Sequence, residues 1–466
     1  MNALPIATVG GALLAFLWVG LRARSADTTL DEYLTARGSQ SATTLGLSFL
    51  ASGLGAWILF VPPEIGAFVG PVALAGYAIG AALPFLVLAW CGPAIRRRMP
   101  AGRSLTEYAG ERFGGAVRGW VLLLSLLYML CFLTAELTAI GGIVALLTGQ
   151  DGRWAVLAVA AVTLIYTAWG GLRASLATDR WQAWLLLALL AWVGAVVVQA
   201  PAPPPASTAA APSAPAAAPL PVGLSVALTL VIAVTAANLF HQGYWQRIWA
   251  AHSERALQRG AWLGAVTTAA AIALVGGLGM LAAQQGLPLG TPPVPFFALV
   301  QHAPDWVVAP VLVLAVALVA SSVDTLQSGI AALLVTQRRQ ASLAGARWAT
   351  VLLMVPVVAV AWQGLSVLRL FLVADLLCAT AAVPLLLGLW RRTPRHAALI
   401  GMAAGLVGAV LPDAWAAGNL WQGLVAATFP ANVPTLAPFA GALIASTAAT
   451  LTLAWLAPAR EPAAGR

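Results

Sequence analysis

Apolar residues run through this chain in blocks of about 20, separated by short polar loops, and a spanning helix needs about that many. The blocks fall near 3–22, 43–69, 72–95, 118–148, 153–170, 179–199, 222–242, 259–283, 306–336, 344–363, 366–389, 394–415 and 435–457. They predict an all-α polytopic membrane protein with about 13 transmembrane helices. Several blocks are longer than a span requires, so tilt, kinks or interruption are expected. Pro62-Pro63 is the clearest interruption, since proline removes a backbone donor and clashes with the preceding turn. The first block has no basic residue before it and Arg22 and Arg24 after it, the reverse of a signal peptide. It is read as a retained helix.

Composition supports the same class. The chain is 61% hydrophobic and 8% charged, with a mean hydropathy of +0.89. A soluble domain carries about 25% charged residues, so lipid must cover this surface. All 24 basic residues are Arg, and all but Arg153 and Arg369 fall in every second loop or on the tail. Arg-rich short loops stay cytoplasmic. The expected topology is an inner (plasma) membrane protein with its N-terminus outside and its C-terminus in the cytoplasm. The net charge of +9 reads as topology and contact with anionic headgroups rather than nucleic-acid binding. Cys91, Cys131 and Cys378 have no metal or redox spacing and read as packing residues.

Ala200 to Pro221 is almost entirely Ala, Pro and Ser, the composition of an extended linker. It divides the chain into comparable halves. The expected organisation is one transporter domain over 1–466: an extra helix at 3–22, a first repeat at 43–199, the outer linker at 200–221, a second repeat at 222–389, and two helices within 394–457. Five spans on each side of the linker, oppositely oriented, fit inverted repeats. The Pro- and Gly-rich outer loop Gly286 to Pro304 reads as a connector or a lid.

Ionisable residues inside spans point to function, because an unpaired charge there is costly. They are Glu64, Glu136, Asp179, Asp324 and Asp375, with Asp179 expected at the inner mouth of a span. Ser321-Ser322-Val323-Asp324-Thr325 puts four oxygen-bearing side chains in an otherwise apolar helix. Hydroxyls suit a hard cation such as sodium, but they can equally bond their own helix's carbonyls. Gly46 to Trp57, followed by Pro62-Pro63, is rich in small residues and fits either local unwinding or close packing. Gly170-Gly171 is expected to end one helix, with Thr178 or Asp179 capping the next. Asn238 and Gln242, four apart, are expected on one helical face. Tyr244 and Trp245 fit an interfacial belt, and His241 reads as an interface residue or a proton relay.

Residues 166–182 follow the pattern Y-T-x-x-G-G-L-x-A-x-x-x-T-D-x-x-Q. Asp31 to Ser39, Ser104 to Tyr108 with Arg112-Phe113-Gly114, Gln246-Arg247 with Ala250 to Ser253, and Pro384 to Trp390 with Ala397 and Gly401 supply further motifs in order. On these the chain resembles the sodium/solute symporters, the family of proline, pantothenate, sugar, choline and urea carriers. The resemblance implies the leucine-transporter-type fold of two inverted five-helix repeats. It implies a sodium site made by the backbone carbonyls of Ala51 and Leu54 and the hydroxyls of Ser321 and Ser322, with Asp179 near the ion's inner route. Asn238 sits where a sugar-carrying relative has a substrate-contacting Asn. Gly55, Pro63, Glu64, Phe240 and Gln242 complete the expected solute region. Gly53 and Gly55 stand where proline carriers have Asp and Ser, which counts against proline. Glu64 replaces a residue that is usually Gly, and is expected to face the solute and take a cationic group or a proton.

The expected function is therefore sodium-coupled symport of a small polar solute by alternating access. Sodium is the coupling ion, no resident cofactor is expected, and a monomer is expected as the transport unit. Proton coupling through Glu64, Glu136 or Asp375 is the alternative, or a sensor without net transport. The nine residues after 457 are too few for a signalling domain. An enzyme would need a metal cluster or an activated nucleophile, and none of the four His lies near paired carboxylates in sequence.

Overall fold

The computed structural model describes residues 3–24, 28–199, 218–337 and 340–457. Most of the expected linker at 200–221 and the tail after 457 lie outside these residues. In chain order the helices are α1 (Ala3–Arg22), α2 (Leu30–Thr35), α3 (Ala42–Gly53), α4 (Val61–Phe68), α5 (Pro71–Arg98), α6 (Leu105–Phe113), α7 (Gly115–Thr148), α8 (Arg153–Gly170), α9 (Leu172–Gln199) and α10 (Leu220–Asn238). There follow α11 (Gln242–Ala250), α12 (Glu254–Gln284), α13 (Pro295–Ala298), α14 (Asp305–Val335), α15 (Leu343–Trp362), α16 (Leu368–Leu386), α17 (Ala397–Ala417), α18 (Leu420–Ala426) and α19 (Leu436–Leu456). Among the described residues eleven single helices are long and apolar enough to cross a membrane, and α3 with α4 makes a twelfth. The thirteenth expected span is α1, whose described apolar stretch, Ala7–Arg22, is short for one.

Local chemistry sets many of the ends. Ser41, Ser104, Ser253 and Ser342 cap α3, α6, α12 and α15 through their hydroxyls. Ser104 and Glu107 form a reciprocal capping box. Burial then sorts the helices. The apolar window of α14 is 78% buried against 22% for α15, so α14 runs through the centre and α15 lines the lipid-facing rim. Small residues let helices approach where side chains would hold them apart. A Cβ on Gly279 of α12 would lie 2.2 Å from the Pro63 carbonyl oxygen of α4, and one on Gly441 of α19 would lie 2.0 Å from the Gly408 carbonyl oxygen of α17.

Two spans are broken. The axis bends by 63° between α3 and the segment Ala56–Phe68. The break comes at Leu54 and Gly55, well before the prolines. Pro62 and Pro63 instead open α4, where a missing amide costs nothing. The second break separates α10 from α11 at residues 239–241, inside the stretch predicted as one span at 222–242. The Leu239 carbonyl freed there accepts the indole N–H of Trp245 at 2.7 Å.

Candidate functional site

The first break gathers three elements. Helix α3 ends at Gly53, and Leu54 takes an extended conformation, φ −110° and ψ 110°. From α14, the Ser321 hydroxyl donates to the Ala51 carbonyl at 2.7 Å. Its neighbour Ser322 is fully buried with no hydrogen-bond partner for Oγ. From α7, the Glu136 carboxylate accepts the Ala56 N–H at 2.7 Å. Gly55 leaves room for that carboxylate, since a Cβ there would lie 2.1 Å from Oε1 of Glu136.

Beside the break lies a cavity of about 520 Å³, within the usual range for a small-molecule site. Its aromatic wall is Trp57, Phe60, Tyr77, Tyr128, Phe132 and Phe371. Its polar wall is Glu136, Thr138, Asn238, Ser366 and Asp375, with no Arg or His among the described lining residues. Asp375, on α16, is buried, and its Oδ1 has no hydrogen-bond partner. Asn238 has its amide occupied. Its Oδ1 accepts from the Tyr128 hydroxyl at 3.2 Å and the Tyr244 hydroxyl at 3.3 Å, and its Nδ2 donates to the Val234 carbonyl at 2.9 Å. Pro292, loop residues 364–367 and Leu368 at the start of α16 complete the lining.

Off the cavity wall, Arg247, Asp179 and Asp324 bond to groups of the protein. Arg247 of α11 is fully buried. It donates to Asp179 Oδ2 at 2.8 Å, Ser48 Oγ at 2.8 Å, the Gly243 carbonyl at 2.6 Å and Thr325 Oγ1 at 3.2 Å. Asp324 receives the hydroxyls of Tyr166 at 2.5 Å, Ser175 at 2.6 Å and Thr178 at 3.1 Å. The motif over residues 166–182 thus has a structural meaning that its spacing does not reveal. Its Tyr, Ser and Thr cradle the aspartate of α14, and its own aspartate holds the arginine of α11.

The expected residues divide accordingly. Ala51, Leu54 and Gly55 lie at the first break, where Ser321 bonds the Ala51 carbonyl and Ser322 is its neighbour in α14; Asn238 lines the cavity. Glu64 does not: it is exposed on α4 and absent from the cavity wall. Pro63 is buried against α12. Phe240 is buried in the second break, off the cavity wall. Gln242 is not on one face with Asn238, because the helix between them is broken. Its amide accepts the Leu105 N–H and donates to the Arg103 carbonyl. Asp179 neither caps a helix nor sits at a mouth, for α9 begins at Leu172 and encloses it completely. Tyr244, Trp245 and His241 form no interfacial belt. All three are buried, and the His241 ring stacks on Tyr244 at 4.2 Å. Sequence reasoning missed the aromatic wall, since Trp57, Tyr77, Tyr128 and Phe371 look like any other span residues until the helices are placed.

The sequence profile of the Sodium:solute symporter family matches residues 33–284, more than half of the chain. The spermidine transporter DUR31 of Candida albicans is 30% identical over 450 residues, 91% of this chain and 85% of that protein. Sodium/glucose cotransporter 4 of Danio rerio is 28% identical over 39% of this chain and 27% of that protein. Among solved structures, a Na+-coupled sialic acid symporter in a substrate-bound outward-open state superposes with a TM-score of 0.76 at 16% identity, covering 99% of both chains. Mhp1, a nucleobase-cation-symport-1 family transporter, gives 0.59 at 14% identity, covering 95% of this chain and 98% of that one. At these identities the likeness is one of fold, the leucine-transporter type.

Proposed function

Because the chain belongs to the sodium:solute symporter family, and is thus a multi-pass secondary transporter rather than an enzyme, we propose that it couples inward sodium flow to uptake of a small polar organic solute. One observation carries the reading. Ser321 of the central helix bonds the Ala51 carbonyl where α3 ends, and beside it Ser322 keeps a buried hydroxyl without a partner. Buried polar groups are rarely left unpaired. Neutral oxygens converging on a helix end suit a sodium ion, which would take the Ala51 and Leu54 carbonyls and both hydroxyls. Asp179, held by Arg247, flanks the ion's route beyond that site.

The coupling follows from where the ion sits. It ties the end of α3 to α14, so it favours the conformation in which those two meet, and a ligand shifts an equilibrium only by such a difference. With the Arg-rich loops in the cytoplasm, the cavity opens outward and the Arg247 network lies on the inner side. An inside-negative potential then adds about 2.3 kcal/mol per charge at 100 mV to inward movement. The likeness to a spermidine transporter over most of both chains makes an amine the first solute to try.

The test is uptake into proteoliposomes at fixed pH, with and without a sodium gradient. Uptake should require sodium and should fall at least tenfold in Ser322→Ala. Uptake driven equally by a proton gradient without sodium, or full sodium dependence in the doubly substituted Ser321→Ala, Ser322→Ala protein, removes the assignment.

A further inference from the structure

The cavity wall carries two carboxylates and, among its described residues, no Arg, Lys or His. Leaving an ionised carboxylate unpaired in a low-dielectric site is costly. Asp375 nonetheless keeps one buried oxygen without a partner. None of the wall's donors is charged, and the Asn238 amide already donates to Val234 and accepts from two tyrosines. Six aromatic rings complete the wall, and the faces of aromatic rings attract cations. The missing counter-charge belongs to the cargo.

We propose that this cavity takes an aliphatic dication, one ammonium group at Glu136 and the other at Asp375, with the connecting carbon chain against the aromatic wall. The proposal rests on the symport reading above and names its solute class. It also assigns Glu136 a double role. The same carboxylate that receives one ammonium holds the Ala56 N–H, two residues after the Leu54 carbonyl proposed for sodium. Ion and solute therefore order one short segment, residues 54–56, from its two sides, and each is expected to tighten the other's binding.

The experiment uses the full chain in nanodiscs. Binding of radiolabelled putrescine is measured with and without sodium, against butylamine, glucose and proline as competitors. Sodium binding is followed separately by intrinsic tryptophan fluorescence. Putrescine should bind in sodium, with butylamine at least about tenfold weaker because it satisfies one carboxylate of two. Asp375→Asn should reduce putrescine affinity to the level of butylamine while leaving the sodium response intact. Glu136→Gln should weaken putrescine at least about tenfold and also abolish its dependence on sodium. If Glu136→Gln does not fold, Asp375→Asn, which lies away from the break, decides the matter alone. Displacement of putrescine by glucose or proline, or wild-type putrescine affinity in Asp375→Asn, overturns the dication proposal and leaves sodium coupling standing. A wild-type protein whose fluorescence ignores sodium overturns the symport reading instead.

Discussion

Two pairs of buried acids divide the work of this molecule. Asp179 and Asp324 lie on the side of the Arg-rich loops, and side chains of other helices donate to both, although Asp179 Oδ1 has no partner. Asp324 receives three hydroxyls from α8 and α9, while Asp179 is held by Arg247 and Ser48. Glu136 and Asp375 face the cavity; Glu136 receives the backbone N–H groups of Ala56 and Trp57, and neither acid receives a side-chain donor among the described residues. All four are buried carboxylates, so neither chemistry nor burial alone identifies a binding group. What separates them is whether side chains of the surrounding helices supply donors. Where they do, the acid joins helices together. Where they do not, it waits for a partner from outside.

The sharpest way to break this comparison is to remove a donor from the first pair. Arg247→Ala would leave Asp179 enclosed without its counter-charge, and breaking a buried pair from one side costs about 3–5 kcal/mol. The melting temperature in detergent should collapse or the protein should fail to accumulate. Adding Asp179→Asn should recover part of the loss. A single variant that melts like the wild type would mean that the pair does not hold α9 to α11.

A smaller effect should distinguish the acids directly. Asp324→Asn turns one acceptor oxygen into an amide N–H facing hydroxyl donors, at a cost of about 1–3 kcal/mol. Asp375→Asn meets no such donors, so its change in melting should stay within about 0.5 kcal/mol, and its consequence should appear in solute binding. Equal destabilisation by the two substitutions would erase the distinction.

The contrast also explains what the sequence could tell. The span pattern was legible because hydropathy over 20 residues is a local property, and twelve of the thirteen expected stretches carry helices of spanning character, one of them bent. The Ser321-Ser322 turn was legible as well, since two hydroxyls in an apolar helix stand out. The second break was not. No proline lies within 222–242 and its one glycine, Gly223, is far from the break; α11 is wholly buried, so its polar residues passed for a span end meeting water. Pro62-Pro63 misled by about seven residues, because proline marks where a helix can begin as readily as where one fails. The roles of Asp179 and Asp324 depend on residues 68 and 158 positions away, and no local window contains both partners.

A third setting for an acid, outside the membrane, completes the series with the smallest effect. Asp31, at the start of α2, bonds Arg37 through both oxygens, at 2.8 Å and 2.9 Å, and Arg103 at 3.0 Å. Arg37 first and then Arg103 hold its carboxyl down to about 2, against the opposing pull of partial burial. A carboxyl lowered on folding stabilises the native state above its unfolded value near 4 and loses that contribution as pH falls through about 2. The Asp31 side chain is 34% exposed, so solvent and salt screen the pair and the gain is modest. Melting temperature should therefore decline gently between about pH 4 and pH 2, and Asp31→Asn should flatten that part of the profile at low salt. An unchanged slope would place the acid sensitivity elsewhere in the protein and show that Arg37 holds the loop through the Pro100 and Gly102 carbonyls rather than through Asp31.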